Sequence, residues 1–285
     1  MSVALERKNT RSSAVLVVQI ISVLICILML LPIVMSFFAS VKSPAEANLS
    51  PPNYFPIVYS LSNYAKIFSY QAGLGVYVWN SLVTALTSIA ICLCLAVPAG
   101  YGFARFNFAY KEAWFLLLLS TMMFPFQALL VPLYLMFAKI GLANSHLGLA
   151  IVHSIIQLPF SIYLMRNSFE AVPAEIEDAT YVDGCRSFTS LRRIMLPLVL
   201  PGVVTVALFA FVNSWNEFIS ALIFLNNENS FTVPILLVAV RIGHMGAIDW
   251  GALQAGVMVS IVPCVAVYLL LQRYYVSGLL NGAVK

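Results

Sequence analysis

The residues of this chain best suited to chemistry lie together between Glu170 and Pro201. Five acids come first, Glu170, Glu175, Glu177, Asp178 and Asp183, with no base among them; Arg186, Arg192 and Arg193 follow. What such residues offer is non-covalent: charge and hydrogen bonding in water, carried on a solvated helix, a glycine break and a second, basic helix. Pro173 suits the first turn of that helix, the acids at 175, 177 and 178 favour its positive end, and Gly184 can adopt the left-handed conformation that closes it. Elsewhere the able side chains are scattered. The histidines at 146, 153 and 244 have no clustered ligand spacing, so no metal site is expected. Cys92 and Cys94 are spaced wrongly for a zinc or redox pair and suit apolar packing. No nucleophile, acid/base pair or metal cluster collects at one depth, which argues against an enzyme. No G-x-x-x-x-G-K-[ST] loop is present, so any nucleotide is bound by another chain.

The elements that position these residues follow from composition. Of 285 residues 61% are hydrophobic and 9% charged, where a soluble domain has roughly 25% charged residues. The chain reads as an all-α polytopic membrane protein. Six apolar stretches reach the roughly 20 residues needed to cross a bilayer: Ala14–Phe38, Val76–Gly100, Ala113–Ala138, Leu147–Met165, Leu198–Phe224 and Gly251–Gln272. They are continuous and too long for barrel strands. The first run is also too long for the core of a cleaved signal peptide. With six spans both termini share a side. That side holds all the Lys and Arg except Lys42, Lys66, Lys139 and Arg241. The positive-inside rule therefore places both termini and the 167–197 loop in the cytoplasm. The net charge of +4 is topology, and nucleic acid is not an expected partner.

The resulting organisation is a cytoplasmic tail (1–13), a first transmembrane helix (14–38), an external loop (39–75), a five-helix core (76–272) and a cytoplasmic tail (273–285). The external loop, with Pro44, Pro51, Pro52 and Pro56, resists regular helix over its first half. It is either a cap on an external mouth or a covered connection. Small residues at 99, 100, 102 and 104 permit close helix contact. Pro125 and Pro132 invite kinks in the third span. His153 and Gln157 share a helix face directed into the bundle, for interhelical hydrogen bonding or substrate contact. In the fifth span, Glu217 lies about 28 Å along the helix from Leu198, near the outer edge, and Asn213 is one turn deeper on nearly the same face. Gln157, Asn213, Asn216 and Glu217 are the candidate pathway-lining residues, with a structural role as the competing reading. The segment Leu225 to Trp250 reads as a polar external connection.

The cytoplasmic loop resembles the EAA loop of ABC-importer permeases, in which E-A-A is followed after three residues by G, and after nine more by I-x-L-P. Here Asp178-Ala179-Thr180 precedes Gly184 by three residues, and nine more lead to Ile194-Met195-Leu196-Pro197. Asp178 replaces Glu, although Glu177 stands before it, and Thr180 replaces Ala; either acid can serve as the contact. Asn63-Tyr64, Asn80-Ser81, Ala104-Arg105-Phe106, Asp183-Gly184, Trp215-Asn216-Glu217-Phe218 and the C-terminal Gly278-Leu279 to Lys285 are similar to carbohydrate-importer permeases, in particular the MalG-like subunit of the maltose type. The resemblance implies a type I ABC-importer permease fold in a bacterial inner membrane. Its implied partners are a MalF-like second permease, two ATPase subunits that carry the ATP and Mg, an extracytoplasmic sugar-binding protein and membrane lipid. It implies no cofactor on this chain. It also implies that Glu177, Asp178, Ala179, Thr180, Gly184, Ile194, Leu196 and Pro197 couple to an ATPase, and that Gly278, Asn281, Gly282 and Ala283 reach the same interface. The competing reading is a self-sufficient secondary transporter or channel, which would want embedded charge pairs or inverted repeats.

Overall fold

The computed structural model describes residues 2–49, 51–242 and 248–283, with side chains described for 15–49, 51–242 and 248–273. Among these residues the regular structure is helical, with one isolated bridge between Lys42 and Tyr59. Four helices are long and apolar enough to cross a membrane: α1 (Ser2–Ser40) over Val15–Ser40, α4 (Leu74–Arg105), α7 (His146–Glu170) and α14 (Trp250–Ala283) over Trp250–Arg273. Two bent pairs bring the number to six. In the first, α5 (Lys111–Ser120) and a 3-10 turn at Thr121–Met123 meet α6 (Phe126–Lys139) at 97°. The break falls at Pro125, whose ring disfavours helix at the preceding residue; Phe124 accordingly has φ −77° and ψ 135°. Pro132, by contrast, sits within α6 without ending it.

The chain divides into two compact units, Met1–Ile67 with Val240–Val259, and Phe68–Ala239 with Ser260–Lys285. In the first, α2 (Pro44–Ala47) and α3 (Ser62–Phe68) are short and the proline-dense stretch between them is irregular. Side chains satisfy its backbone instead. Glu46 accepts from the amide of Ile57 at 2.8 Å, and the fully buried Asn63 donates to the carbonyls of Ser40 and Lys42 at 3.0 and 2.7 Å. Asp249 accepts from the amide of Ala252 at 3.1 Å and pairs with Lys66 at 2.8 Å. Partial burial lifts the Asp249 carboxyl, but the Lys66 ammonium and the helix amides outweigh it and hold the group below the usual range.

The second unit is built on α4 and α7, which run parallel. Thr84, Ser88, Cys92, Ala96 and Gly100 recur at four-residue intervals and place small side chains along one face of α4. Thr84 meets His146 at 3.2 Å, Ser88 meets Ser154 at 3.2 Å, and the Cys92 thiol donates to Ser161 at 3.1 Å. Helix α11 (Leu200–Asn216) lies antiparallel to both. One apolar core joins Cys92, Tyr101, Met165, Phe169, Met195 and Val206. A second joins Leu130 and Phe137 of α6, Leu149, Phe224 and Ile235.

Two expectations are corrected. The fifth span does not continue to Phe224: α11 ends at Asn216, Glu217 is extended at φ −72° and ψ 125°, and a separate helix α12 occupies Ile219–Phe224. Nor is the 225–250 segment polar throughout, because it holds the apolar helix α13 (Val233–Ile242). Ten residues are too few for a span, so a search for bilayer-length runs passes over it. Its start is tied to α4: the Val233 amide donates to Ser81 Oγ at 2.9 Å, and the buried Asn80 amide donates to the carbonyls of Asn229 and Phe231 at 2.7 and 3.0 Å. Asn80→Ala leaves both carbonyls without that donor, and a loss of about 1–3 kcal/mol is expected. Thermal unfolding of the detergent-purified protein checks it, with an unchanged melting temperature as the contrary result.

Candidate functional site

The loop that follows α7 folds as its residues direct. Pro173, at φ −54° and ψ 137°, starts α8 (Ala174–Val182), with Glu175 and Glu177 in its first turn. At its other end Gly184 takes φ +79°. The Gly184 amide donates to the Tyr181 carbonyl at 3.0 Å and the Cys185 amide to the Thr180 carbonyl at 2.9 Å. These two bonds make a Schellman closure, which needs a residue tolerant of positive φ at Gly184. The basic second half is a short helix α9 (Ser187–Ser190), a π turn (Leu191–Met195) and a last turn α10 (Leu196–Leu198), which meets α11 at 79°.

Helix α8 divides the candidate coupling residues between two faces. Asp178 and Ala179 are exposed, beside Glu175, Ile176 and Val182, the last 87% accessible. Glu177 and Thr180 are buried. Thr180 donates to the Glu177 carbonyl at 2.7 Å and to Ser190 Oγ at 2.9 Å, binding α8 to α9. Gly184 and Pro197 are exposed, Ile194 and Leu196 half-buried, and Met195 between them is fully buried. The structure thus separates Glu177 from Asp178, adjacent in sequence but turned about 100° apart on the helix.

The Glu177 carboxylate lies among groups of α4. Its Oε2 is 2.9 Å from Arg105 Nε, in an alignment that makes the contact an ion pair rather than a hydrogen bond. Its Oε1 accepts from the hydroxyls of Tyr101 and, at 2.9 Å, Tyr181. Arg105 Nη2 donates to the carbonyls of Phe169 at 2.9 Å and Val172 at 2.6 Å. Arg105, Tyr101 and Tyr181 were not among the sequence candidates. Tyr181 stands four residues from Glu177, the spacing of one helix face, and that signal was available. A second, more exposed ionic joint lies nearby: Arg166 pairs with Glu112 at 2.8 Å and Glu170 at 2.7 Å, over the Phe115 ring.

The four candidate pathway residues also separate. Gln157 is buried and accepts from the side-chain amide of the exposed Asn213. Asn216 is exposed and lines a cavity of about 340 Å³ with Trp215, Phe218, Val233, Pro234 and Ser260. Glu217 sits in the break between α11 and α12. Its carboxylate accepts from the amides of Ser220 at 2.9 Å and Ala221 at 3.2 Å and lies 3.3 Å from His153 Nε2, while His153 Nδ1 is 2.8 Å from Ser214 Oγ. Standing one residue before the N-cap Phe218, it closes the N-terminus of α12 by accepting two free amides of its first turn. The C-terminal candidates Gly278, Asn281, Gly282 and Ala283 lie outside the residues whose side chains are described; the α14 backbone runs through them.

Residues 96–279 match the family of binding-protein-dependent transport system inner membrane components. The chain is 34% identical to the sulfoquinovosyl glycerol transport system permease protein SmoH of Agrobacterium fabrum, over 90% of this chain and 89% of that protein. It is 32% identical to the arabinooligosaccharides transport system permease protein AraQ of Halalkalibacterium halodurans, over 81% of each. Its fold is similar to a chain from the crystal structure of a bacterial ABC transporter involved in the import of the acidic polysaccharide alginate, with a TM-score of 0.79 and 22% identity over 91% of this chain and 95% of that one. The chain belongs to the binding-protein-dependent transport system inner membrane components: it is a membrane permease subunit, and hydrolysis of ATP falls to other subunits.

Proposed function

We propose that this chain forms half of the translocation pathway of an ABC importer for a sugar, a mono-, di- or oligosaccharide or a related polyol. Its other half is a MalF-like second permease. Two ATPase subunits bind the ATP and Mg, and an extracytoplasmic binding protein delivers the substrate. Both termini and the 167–197 loop face the cytoplasm, where the Lys and Arg residues collect. The names of SmoH and AraQ support the substrate class.

The observation that carries the reading is α8. It is a short helix begun at Pro173 and closed at Gly184, with a face of Glu175, Asp178, Ala179 and Val182 that is exposed among the described residues. The small Ala179 admits a partner surface closely, and the acids beside it suit a basic rim. Ile194, Leu196 and Pro197 pass the loop into α11, and Gly278, Asn281, Gly282 and Ala283 add a second contact from α14. Asn213 and Asn216 line the pathway. Gln157 orients Asn213, and Glu217 acts from behind them through α12.

Ala179→Trp tests the docking face. Expected is normal membrane insertion of the permease with loss of most co-purified ATPase and of sugar-stimulated ATP hydrolysis. Normal uptake with a full complement of ATPase would overturn the assignment. ATP hydrolysis by the wild-type complex, measured with its binding protein against sugars and polyols, identifies the substrate. A permease that transports with no ATPase bound would instead favour the self-sufficient transporter.

A further inference from the structure

The acid inside the helix and the acid outside it cannot do the same work. Glu177 has a side chain only 5% exposed, and Arg105 only 14%. Neither is placed to touch another subunit at the exposed face of α8. What they touch instead is the junction of three helices. Arg105 is the last residue of α4. Its Nη2 meets the Phe169 carbonyl in the last turn of α7 and the Val172 carbonyl two residues past its end, where a cation is favoured by the helix dipole. Its Nε meets the carboxylate that projects from α8. Tyr101, one turn earlier on α4, holds the other carboxylate oxygen together with Tyr181 of α8. The Tyr101 ring packs edge-on against Phe169 of α7 at 5.4 Å between centroids. Every polar link at this corner crosses between helices or stiffens α8 itself.

Resting on the reading that α8 docks in an ATPase, we infer that Arg105 and Glu177 are positioning residues of the transport cycle. They are the joint that passes displacement of α8 into α4 and α7, while Asp178 and Ala179 make the contact with the ATPase. Burial is what suits the pair to this work. An exposed ion pair is screened by water and contributes little, as at Arg166, whose partner Glu112 is 64% exposed. A buried pair whose remaining atoms are hydrogen-bonded holds one geometry, and losing either partner leaves a charge uncompensated. Motion can therefore be transmitted through the corner with little slack. If the corner is loosened, α8 still presents Asp178 and Ala179 to the ATPase, but its movement is absorbed before it reaches the spans.

The test uses the complete importer, with both permeases and the ATPase, in proteoliposomes with the binding protein and substrate. Three quantities are read: ATPase bound per permease, ATP hydrolysis, and substrate taken up per ATP. Glu177→Gln keeps an acceptor for the tyrosines but removes the charge facing Arg105. Arg105→Lys keeps the charge but cannot reach two carbonyls and a carboxylate together. For each, bound ATPase is expected at the wild-type level, with uptake per ATP lowered by at least about fivefold, the lower end of common coupling energies between sites. The double variant should lose no more than the worse single one, because both break the same joint. Should either single variant fail to accumulate, Tyr101→Phe with Tyr181→Phe removes only two hydroxyls and is expected to lower the same ratio less. Unchanged uptake per ATP overturns the inference. So does a parallel fall in bound ATPase, which would make Glu177 a docking residue. Failure of Ala179→Trp to displace the ATPase would instead count against α8 as the docking element, so the two failures are distinguishable.

Discussion

Gly100→Val is expected to remove most of the folded permease from a detergent extract, whereas Gly102→Ala should leave yield and melting temperature near those of the parent. A β-carbon at position 100 would lie 2.4 Å from Met165 Cβ and 2.9 Å from both the Met165 carbonyl carbon and the Arg166 amide nitrogen. These are atoms of the α7 backbone and the root of a fully buried side chain, not the far end of a flexible one. Relief requires α4 and α7 to part, which breaks the core formed by Tyr101, Met165 and Phe169. Overpacking costs about 1–3 kcal/mol where neighbours can adjust and more where they cannot. Two branched methyls added to this contact belong to the second case. At Gly102 the nearest atom to an added β-carbon is the edge of the Phe106 ring at 4.0 Å, an ordinary contact. Monodisperse yield and thermal midpoint measure both variants; an unaffected Gly100→Val would show that α4 and α7 do not meet there.

The second large effect belongs to Glu217. Glu217→Leu removes the acceptor of two α12 amides and the partner of His153, so about 2–4 kcal/mol of stability should be lost from the cap and the polar groups left behind. Glu217→Gln keeps an oxygen for the amides and an amide group for the imidazole, and is expected to fold with a melting temperature within a few degrees of the parent. Transport by a complex containing Glu217→Gln separates the structural role of this residue from one that needs its charge. A helix terminus needs only the acceptor, so uptake should persist; loss of uptake with normal folding would show that the ionised carboxylate itself is required.

The spans were legible because continuous apolar runs leave few alternatives in a bilayer, and α8 was legible because Pro173 and Gly184 each act on their own backbone. The residues read less well were those whose meaning depends on a distant partner. Glu217 could be placed along a helix, but the end of that helix at Asn216 is stabilised by amides of α12, which exist only once the chain has turned. Glu177 and Asp178 could not be ranked, since the rotation that buries one and exposes the other is set by Tyr101 and Arg105, more than seventy residues earlier. Helix α13 escaped because its ten residues are matched to protein neighbours, with Ile235 packed among Phe137, Leu149 and Phe224, rather than to the thickness of a membrane.

The row of small residues on α4 also has a mechanical side. Contact with α7 is tight at Gly100, where an added β-carbon would overlap Met165, and small side chains continue it at Cys92 with Ser161 and at Ser88 with Ser154 before Thr84 meets His146. The ends of that row are sixteen residues apart, about 24 Å of helix. Fastened at each of these turns, like a zip rather than shears, the two helices travel as one rod. A tilt of about 5° about the Gly100 end would carry Thr84 and His146 together through about 2 Å, since the arm is the rise of sixteen helical residues.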